Sequence, residues 1–593
     1  MTSREKVAAL RQWMKKQGLT AYLVPSADPH LSEYTPDCWK RREWLTGFTG
    51  SVGTAVVTLK EAGLWVDSRY FLQAEAQLDP EVFRLFKVGV EGTSTIEAFL
   101  AGALKRGQAC GVDPHLFSHT DADRLERALA GKGIGLRFPK ENPIDALWTD
   151  RPAVPGDPIV RHPLRYAGES TETKLESLRA ALTAADADAH VIPALDAIAW
   201  LFNLRGNDVR FIPLAIAYAV VTQETAMLFI DDAKVPPATR RALSAFLEIH
   251  PYEAVGKALQ DLGRMHARVL LDPDGTTRWV EERLRRAKLV WAMSPVIIAK
   301  AIKNEVEVKG MRASHVRDGV ACVRFLHWLE AALKRQSWTE SRLADKADAF
   351  RAQERDARGI SFETIVAFNP NAALPHYQPR PGKGLTVRKR GILLLDTGGQ
   401  YLDGTTDITR TITLGRPTPR ERELFTLVLK AHIGLAQVSF PKGQTGHQLE
   451  ALARNALWQA GLNYGHGTGH GIGCYLSGHE GPIGFSLRGT VPLQPGHTLS
   501  LEPGYYEEGR YGFRTENVVV VVRDEERSKP GEEWLKLEAL TLCPIDLALV
   551  ERSMLTAEEL AWLNAYHERV RRVLEPRVPP AVRKWLRDAT RGI

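Results

Sequence analysis

The chain has 593 residues, of which 44% are hydrophobic and 25% charged, and a formal net charge of +7. That length exceeds one core and suggests about three or four domains, while the composition is that of a globular protein rather than a disordered or fibrous one. The charge excess is spread too thinly to point to nucleic acid, and the longest apolar runs, such as 518–522, are strand-sized, which excludes a helical membrane span.

The first residues are polar and basic, with no apolar core or small-residue cleavage site, so no signal peptide is expected. Five scattered cysteines (Cys38, Cys110, Cys322, Cys474, Cys543) suggest reduced thiols and a cytoplasmic setting. Residues 10–28 align without gaps to residues 178–196, an offset of 168. Each copy reads as an amphipathic helix running into an apolar strand that stops at Pro25 or Pro193. Related segments 44–50 and 200–206 follow, then a strand at 53–59 or 213–222, then one ending at Asp67 or Asp231. The repeat predicts two diverged α/β domains, separated by the proline-rich linker 148–158. A second boundary falls near Lys303 and Asn304, where an amphipathic helix opens over 305–334 with Met311, Val316, Val320, Val323 and Leu326 at helical spacing. The expected domains are 1–160, 161–303 and 304–593, the last ending in a charged helical extension from Thr556 with Trp562, Tyr566, Val570, Val573 and Trp585 as packing residues.

The last domain carries the chemistry. Residues 391–414 read as a strand, a turn at Gly398 and Gly399, and a returning strand, which would bring Asp407 beside Asp396. A charge at the end of an apolar strand is costly, and a second carboxylate beside it worsens the repulsion unless cations lie between. Asp403, beside Gly404, suits a turn aspartate better. Glu502 and Glu516 repeat the logic, each in a strand-like segment, with an exposed edge as the alternative. His466 and His470 sit among Gly465, Gly467, Gly469, Gly471 and Gly473, and His479 follows nine residues on. A lone histidine is more often a satisfied core residue, but these glycines let backbone approach closely, as at the mouth of a site. No strand-to-helix unit with a ribose-binding acid accompanies them, which argues against a dinucleotide loop. Four carboxylates with imidazole suit hard or borderline divalent metals. A carboxylate-dominated set suggests two ions about 3.5–4 Å apart, which lower the pKa of a shared water from 15.7 to about 7.

These residues resemble the aminopeptidase P family of pita-bread metallopeptidases in its long, three-domain cytosolic form. The likeness rests on the histidine-glycine run 466–473, the later His479-Glu480-Gly481-Pro482, and the segments 25–34, 67–73 and 199–206. It implies an α/β (α+β) architecture: two related creatinase-like domains, then a pita-bread catalytic domain. It implies removal of the N-terminal residue from peptides with proline second, by a cytoplasmic homodimer that binds neither nucleic acid nor membrane. The implied metal ligands are Asp396, Asp407, His470, Glu502 and Glu516, holding two divalent ions, Mn2+ first, with Co2+ and Zn2+ also compatible. The resemblance makes Asp396 the chelator of one ion, Asp407 and Glu516 the bridges, and His470 and Glu502 the remaining ligands of the other. Glu502 would also serve as general base and acid. His376, His466 and His479 would orient substrate, stabilise the tetrahedral intermediate and shuttle protons, and Arg514 would support the ligands unless it is a surface arginine. Prolidase, which cleaves X-Pro dipeptides with a similar ligand set, is the competing reading; a metal-free pita-bread scaffold is another, though such scaffolds lack the acids.

Overall fold

The computed structural model describes every residue except 380, 381 and 383. The chain divides into two compact units, residues 1–162 with 169–297, and residues 163–168 with 298–593.

In the first unit the repeat is visible as paired elements. The helix Ser3–Lys16 opens with a capping box between Thr2 and Glu5, buries Val7, Leu10 and Met14 on one face, and leads into the strand Ala21–Pro25. Its counterpart, Thr171–Ala184, buries Leu175, Leu178 and Leu182 and leads into Ala189–Ile192. Each strand anchors a six-stranded sheet, and both sheets run 4-3-2-1-5-6 when each sheet's own strands are numbered along the chain. Strands 1, 2 and 3 pair antiparallel in each, and the outer pairings are parallel. The strand expected over 213–222 is shorter, Ala217–Thr222. Ile216 N–H donates 2.6 Å to the buried Asp208 carboxylate, so the ladder begins only after it. Residues 151–159 carry no helix or strand.

The second unit opens on the long helix Glu305–Arg335, capped by Asn304 with Glu307 completing the capping box. It buries Met311, Val320, Val323 and Leu326. Against it lies a three-stranded antiparallel sheet with Gly391–Thr397 between Ile365–Phe368 and Ile408–Leu414. A six-stranded sheet follows in the spatial order Ser439–Pro441, Trp534–Ala539, Asn517–Arg523, Thr498–Leu501, Gly469–Gly471, Glu480–Phe485. The helices Pro419–Ala436 and Gly446–Gln459 and the C-terminal helices Ala557–Leu574 and Pro580–Ala589 complete the unit. One large apolar core of this unit joins Val323, Ile392, Val428, Leu563 and Val570. All five cysteines are buried and none forms a disulfide. No described helix is long and apolar enough to cross a membrane.

Two local expectations need correction. Gly398 and Gly399 do not make the turn between the strands that carry Asp396 and Asp407. The pairing continues through a second short hairpin, Gly399–Tyr401 with Gly404–Thr405, that turns at Leu402 and Asp403. Gly398 is instead needed for space, because a Cβ there would collide with Ser361 Oγ and the Thr406 carbonyl. Asp407, Glu502 and Glu516 also lie at strand ends rather than inside strands. Glu502 follows Thr498–Leu501 and is stopped by Pro503, Asp407 precedes Ile408–Leu414, and Glu516 lies between Tyr511–Arg514 and Asn517–Arg523.

Candidate metal centre

Two of this unit's antiparallel pairings set the site. Asp396 lies opposite Thr409 in the ladder, and the Glu516 N–H donates 3.1 Å to the Thr409 carbonyl. That stitch brings the 514–516 joint against the strand that Asp407 precedes. From the other side, His470 pairs with Gly484, and the Glu502 N–H donates 2.8 Å to the Thr468 carbonyl. The glycines on either side of His470 are essential to this approach: a Cβ on Gly469 would strike the Ser500 carbonyl, and one on Gly471 the Glu480 carbonyl.

Asp407, His470 and Glu516 each offer one ligand atom within 4.8 Å of the other two. His470 Nε2 stands 3.3 Å from Glu502 Oε1 and 3.8 Å from Asp407 Oδ2. The other ring nitrogen, Nδ1, lies 3.0 Å from the Gly471 carbonyl, which accepts only a donated N–H. That bond fixes the tautomer and leaves the Nε2 lone pair facing two carboxylate oxygens. Lone pairs do not converge in this way unless a proton or metal ion lies among them. Glu516 Oε2 accepts from Thr409 Oγ1 at 2.7 Å, and Glu502 Oε1 from Ser500 Oγ at 3.2 Å. Asp396 Oδ2 accepts from Arg514 Nη2 at 2.6 Å, while its buried Oδ1 has no hydrogen-bond partner among the described residues.

The charge balance is lopsided. Asp396, Asp407 and Glu516 are 9%, 5% and 1% exposed, and the Glu502 side chain is only 18% exposed. Arg514, 2% exposed, is the cation they share. Burial, then the charges of Glu516, Asp396 and Glu502, push the Asp407 carboxyl well above the carboxylate range. Burial followed by the Glu502 and Asp396 charges does the same to Glu516, and burial raises Asp396 against the pull of Arg514. Glu502 alone is held low when a proton sits on His470 Nε2 in place of an ion: burial raises it, but the hydrogen bond and charge of the protonated ring outweigh that. An orphaned buried oxygen, a convergent imidazole lone pair and four carboxylates around one arginine fit divalent cations well.

The remaining expected residues surround this cluster. Arg514 is buried rather than on the surface. It donates from Nη1 to Tyr506 Oη at 2.6 Å and from Nη2 to the Pro375 carbonyl at 3.3 Å. That carbonyl tethers the turn bearing the half-buried His376. His466 donates from Nδ1 to the Gly467 carbonyl (2.7 Å) and accepts at Nε2 from Tyr506 Oη (2.8 Å). Burial holds its pKa down to about 4, so it is neutral. His479 stands edge-on to His470, ring centroids 3.9 Å apart. Its neighbour Glu480 is buried in an ion triad with Lys300, at 2.6 Å, and Lys303. Sequence reasoning passed over Tyr506, Thr409 and Ser500. Nothing in a Tyr-Tyr pair marks the hydroxyl that joins Arg514 to His466, and nothing in the alternating threonines of 409–413 marks the one that faces a carboxylate.

The profile of metallopeptidase family M24 matches residues 309–523, and that of the C-terminal region of peptidase M24 matches 533–593. Creatinase/prolidase N-terminal domain profiles match twice, at 6–136 and 150–307. A probable Xaa-Pro aminopeptidase P of Fusarium vanettenii is 44% identical over 591 residues, covering 95% of this chain and 94% of its own. Another from Sordaria macrospora is 41% identical, covering 96% of each. The chain belongs to the aminopeptidase P family of M24 metallopeptidases. The X-prolyl aminopeptidase of Caenorhabditis elegans, described as a cytosolic enzyme with a di-nuclear active site, matches this aminopeptidase P chain over all of both, with a TM-score of 0.97 and 38% identity. A Bacillus anthracis Xaa-Pro dipeptidase, 24% identical with a TM-score of 0.51, shares the fold over only 64% of the chain. The aminopeptidase P chain therefore has creatinase-type N-terminal domains ahead of a pita-bread catalytic domain.

Proposed function

We propose that this chain is a metal-dependent exopeptidase that removes the N-terminal residue from peptides with proline in second place. The observation that carries it is the convergence of three buried carboxylates, the half-buried Glu502 and the His470 lone pair beside Arg514. Asp396, Asp407 and Glu516 would hold one divalent ion, and Asp407, Glu516, His470 and Glu502 a second, Mn2+ in the first instance. When bound, such ions supply Lewis acidity toward the scissile carbonyl and lower the pKa of water. Glu502 Oε1 takes a proton from the attacking water and Ser500 Oγ orients that carboxylate. As the C–N bond breaks, Glu502 returns the proton to the proline nitrogen, which as a tertiary amide carries none of its own. His376 and His479 orient the peptide. His466, with both ring nitrogens engaged, acts through Tyr506 and Arg514 on Asp396.

Further parts of this reading follow the relatives. We place the domain boundaries near 160 and 303, supported by the two like-ordered sheets and the matched profiles. A cytoplasmic setting follows the cytosolic worm enzyme. A homodimer is the proposed assembly, for which Trp458, 50% exposed at the end of Gly446–Gln459, offers an apolar contact. Hydrolysis of Arg-Pro-Pro and Arg-Pro by metal-stripped protein, with and without Mn2+, tests the activity. Mn2+-dependent release of arginine from the tripeptide, with little from the dipeptide, is expected; cleavage of the dipeptide alone would make the chain a prolidase instead.

A further inference from the structure

The strand Ile408–Leu414 alternates threonines at 409, 411 and 413 with Ile408, Arg410, Ile412 and Leu414, so an arginine occupies a position on the apolar face. Arg410 is 3% exposed, and every nitrogen of its guanidinium is used. Nε donates to the Pro544 carbonyl (3.0 Å). Nη1 donates to the carbonyls of Glu516 (2.6 Å) and Thr409 (2.9 Å). Nη2 donates to Asn517 Oδ1 (2.8 Å), the Cys543 carbonyl (2.9 Å) and Tyr566 Oη (2.7 Å). Three segments meet on this one side chain: the strand after Asp407, the joint that holds Glu516, and the C-terminal region through 543–544 and the helix Ala557–Leu574.

The Glu516 carbonyl belongs to no strand ladder, because residues 515 and 516 lie between two strands. Arg410 supplies the donor that a ladder would have supplied, while on the opposite face Thr409 Oγ1 holds the Glu516 carboxylate. The backbone and the side chain of Glu516 are thus fixed from two faces of one strand. Tyr566 Oη in turn lies 3.0 Å from the Cys543 carbonyl and 3.1 Å from that of Thr541, so the C-terminal helix holds the arginine that holds the glutamate. We propose that Arg410 is a positioning residue for the Glu516 carboxylate, and that the C-terminal region acts on the metal centre through Tyr566 and Arg410.

This inference rests on the reading of Glu516 as a metal ligand. Its test is calorimetric titration of the metal-stripped full-length protein with Mn2+, beside thermal unfolding of the metal-free protein and the kinetics of Arg-Pro-Pro. Outer partners of metal ligands typically matter by about 10–100-fold. Arg410→Lys, which keeps the charge but loses the fork, should weaken the weaker Mn2+ site at least about tenfold and lower kcat with KM little changed. Tyr566→Phe, which keeps the ring and removes one oxygen, should move both quantities the same way by a smaller factor. A lowered unfolding temperature with unchanged Mn2+ affinity and kcat in both variants would make the network merely structural and overturn the proposal. A wild-type chain that binds no Mn2+ would overturn the ligand reading beneath it, a result distinguishable because it precedes any variant.

Discussion

The first unit and the metal centre of the second treat buried charge differently. In the first, buried ions stand apart from one another, beside an opposite charge or, like Arg42 on the Phe48 and Gly50 carbonyls, on neutral partners. Lys234 meets Asp208 at 2.7 Å with both side chains at most 1% exposed, and Arg41 grips Asp145 through two bonds of 2.6 and 2.8 Å. Buried His190 is neutral and satisfied at both nitrogens, by the Leu270 carbonyl and Ser294 Oγ. In the second unit four carboxylates share Arg514, and one buried oxygen of Asp396 is left over. Burial alone therefore does not mark a site, since Lys234 is more buried than Glu502. Imbalance does: a fold stabilises a charged pair by itself, but a same-sign cluster calls for ligands from outside.

The comparison breaks most sharply at Glu502. Glu502→Gln should lower kcat/KM for Arg-Pro-Pro by about 10²–10⁴, the usual worth of a general base and acid; turnover near wild type at saturating Mn2+ would remove Glu502 from the chemistry. Lys234→Ala should do the reverse, destabilising the fold by about 3–5 kcal/mol because Asp208 is left as an uncompensated buried charge, while the folded enzyme keeps its kcat. Denaturant unfolding and active-fraction kinetics separate the two.

Asp407→Asn sharpens the contrast through the sign of its effect. The folded-state pKa of Asp407 lies above its unfolded value, so in metal-free protein this group loses stability as pH rises above about 4. The variant, which has no such proton to shed, should be more stable than wild type at pH 7 without metal and less stable with Mn2+. Equal stability under both conditions would contradict the repulsion. The last contrast belongs to His190, held down to about 4 by burial. Its unfolded value is about 6.5, so its contribution is full above pH 6.5 and falls by about 1.4 kcal/mol per pH unit toward pH 4. A pH series of unfolding free energies for wild type and His190→Gln should differ in slope across that window and run parallel above it.

Much of this architecture is legible in the sequence, for identifiable reasons. The 168-residue offset survives because helix and strand periodicities constrain residues such as Leu10 and Leu178 alike. Asp396 stands out as a carboxylate closing the apolar run 392–395, and the long helix from 305 as a capped amphipathic repeat. Other features are silent because their meaning comes from across the fold. Gly398 and Gly399 look like a turn but are small because Ser361 and Arg351 press on them. Tyr506 and Thr409 are ordinary residues until Arg514 and Glu516 arrive beside them. Arg410 did leave a trace, an arginine in register with Ile408 and Ile412, but its partners other than the adjacent Thr409 lie more than 100 residues away.

The most direct test of the central claim is a count of metal ions. Metal-stripped wild type and Asp407→Asn, reloaded with Mn2+ and freed of excess by gel filtration, would be analysed for manganese per chain. The account predicts two ions in wild type and fewer than two in the variant. Two ions retained by Asp407→Asn, or none in wild type, would contradict a carboxylate cluster built to hold a pair of cations.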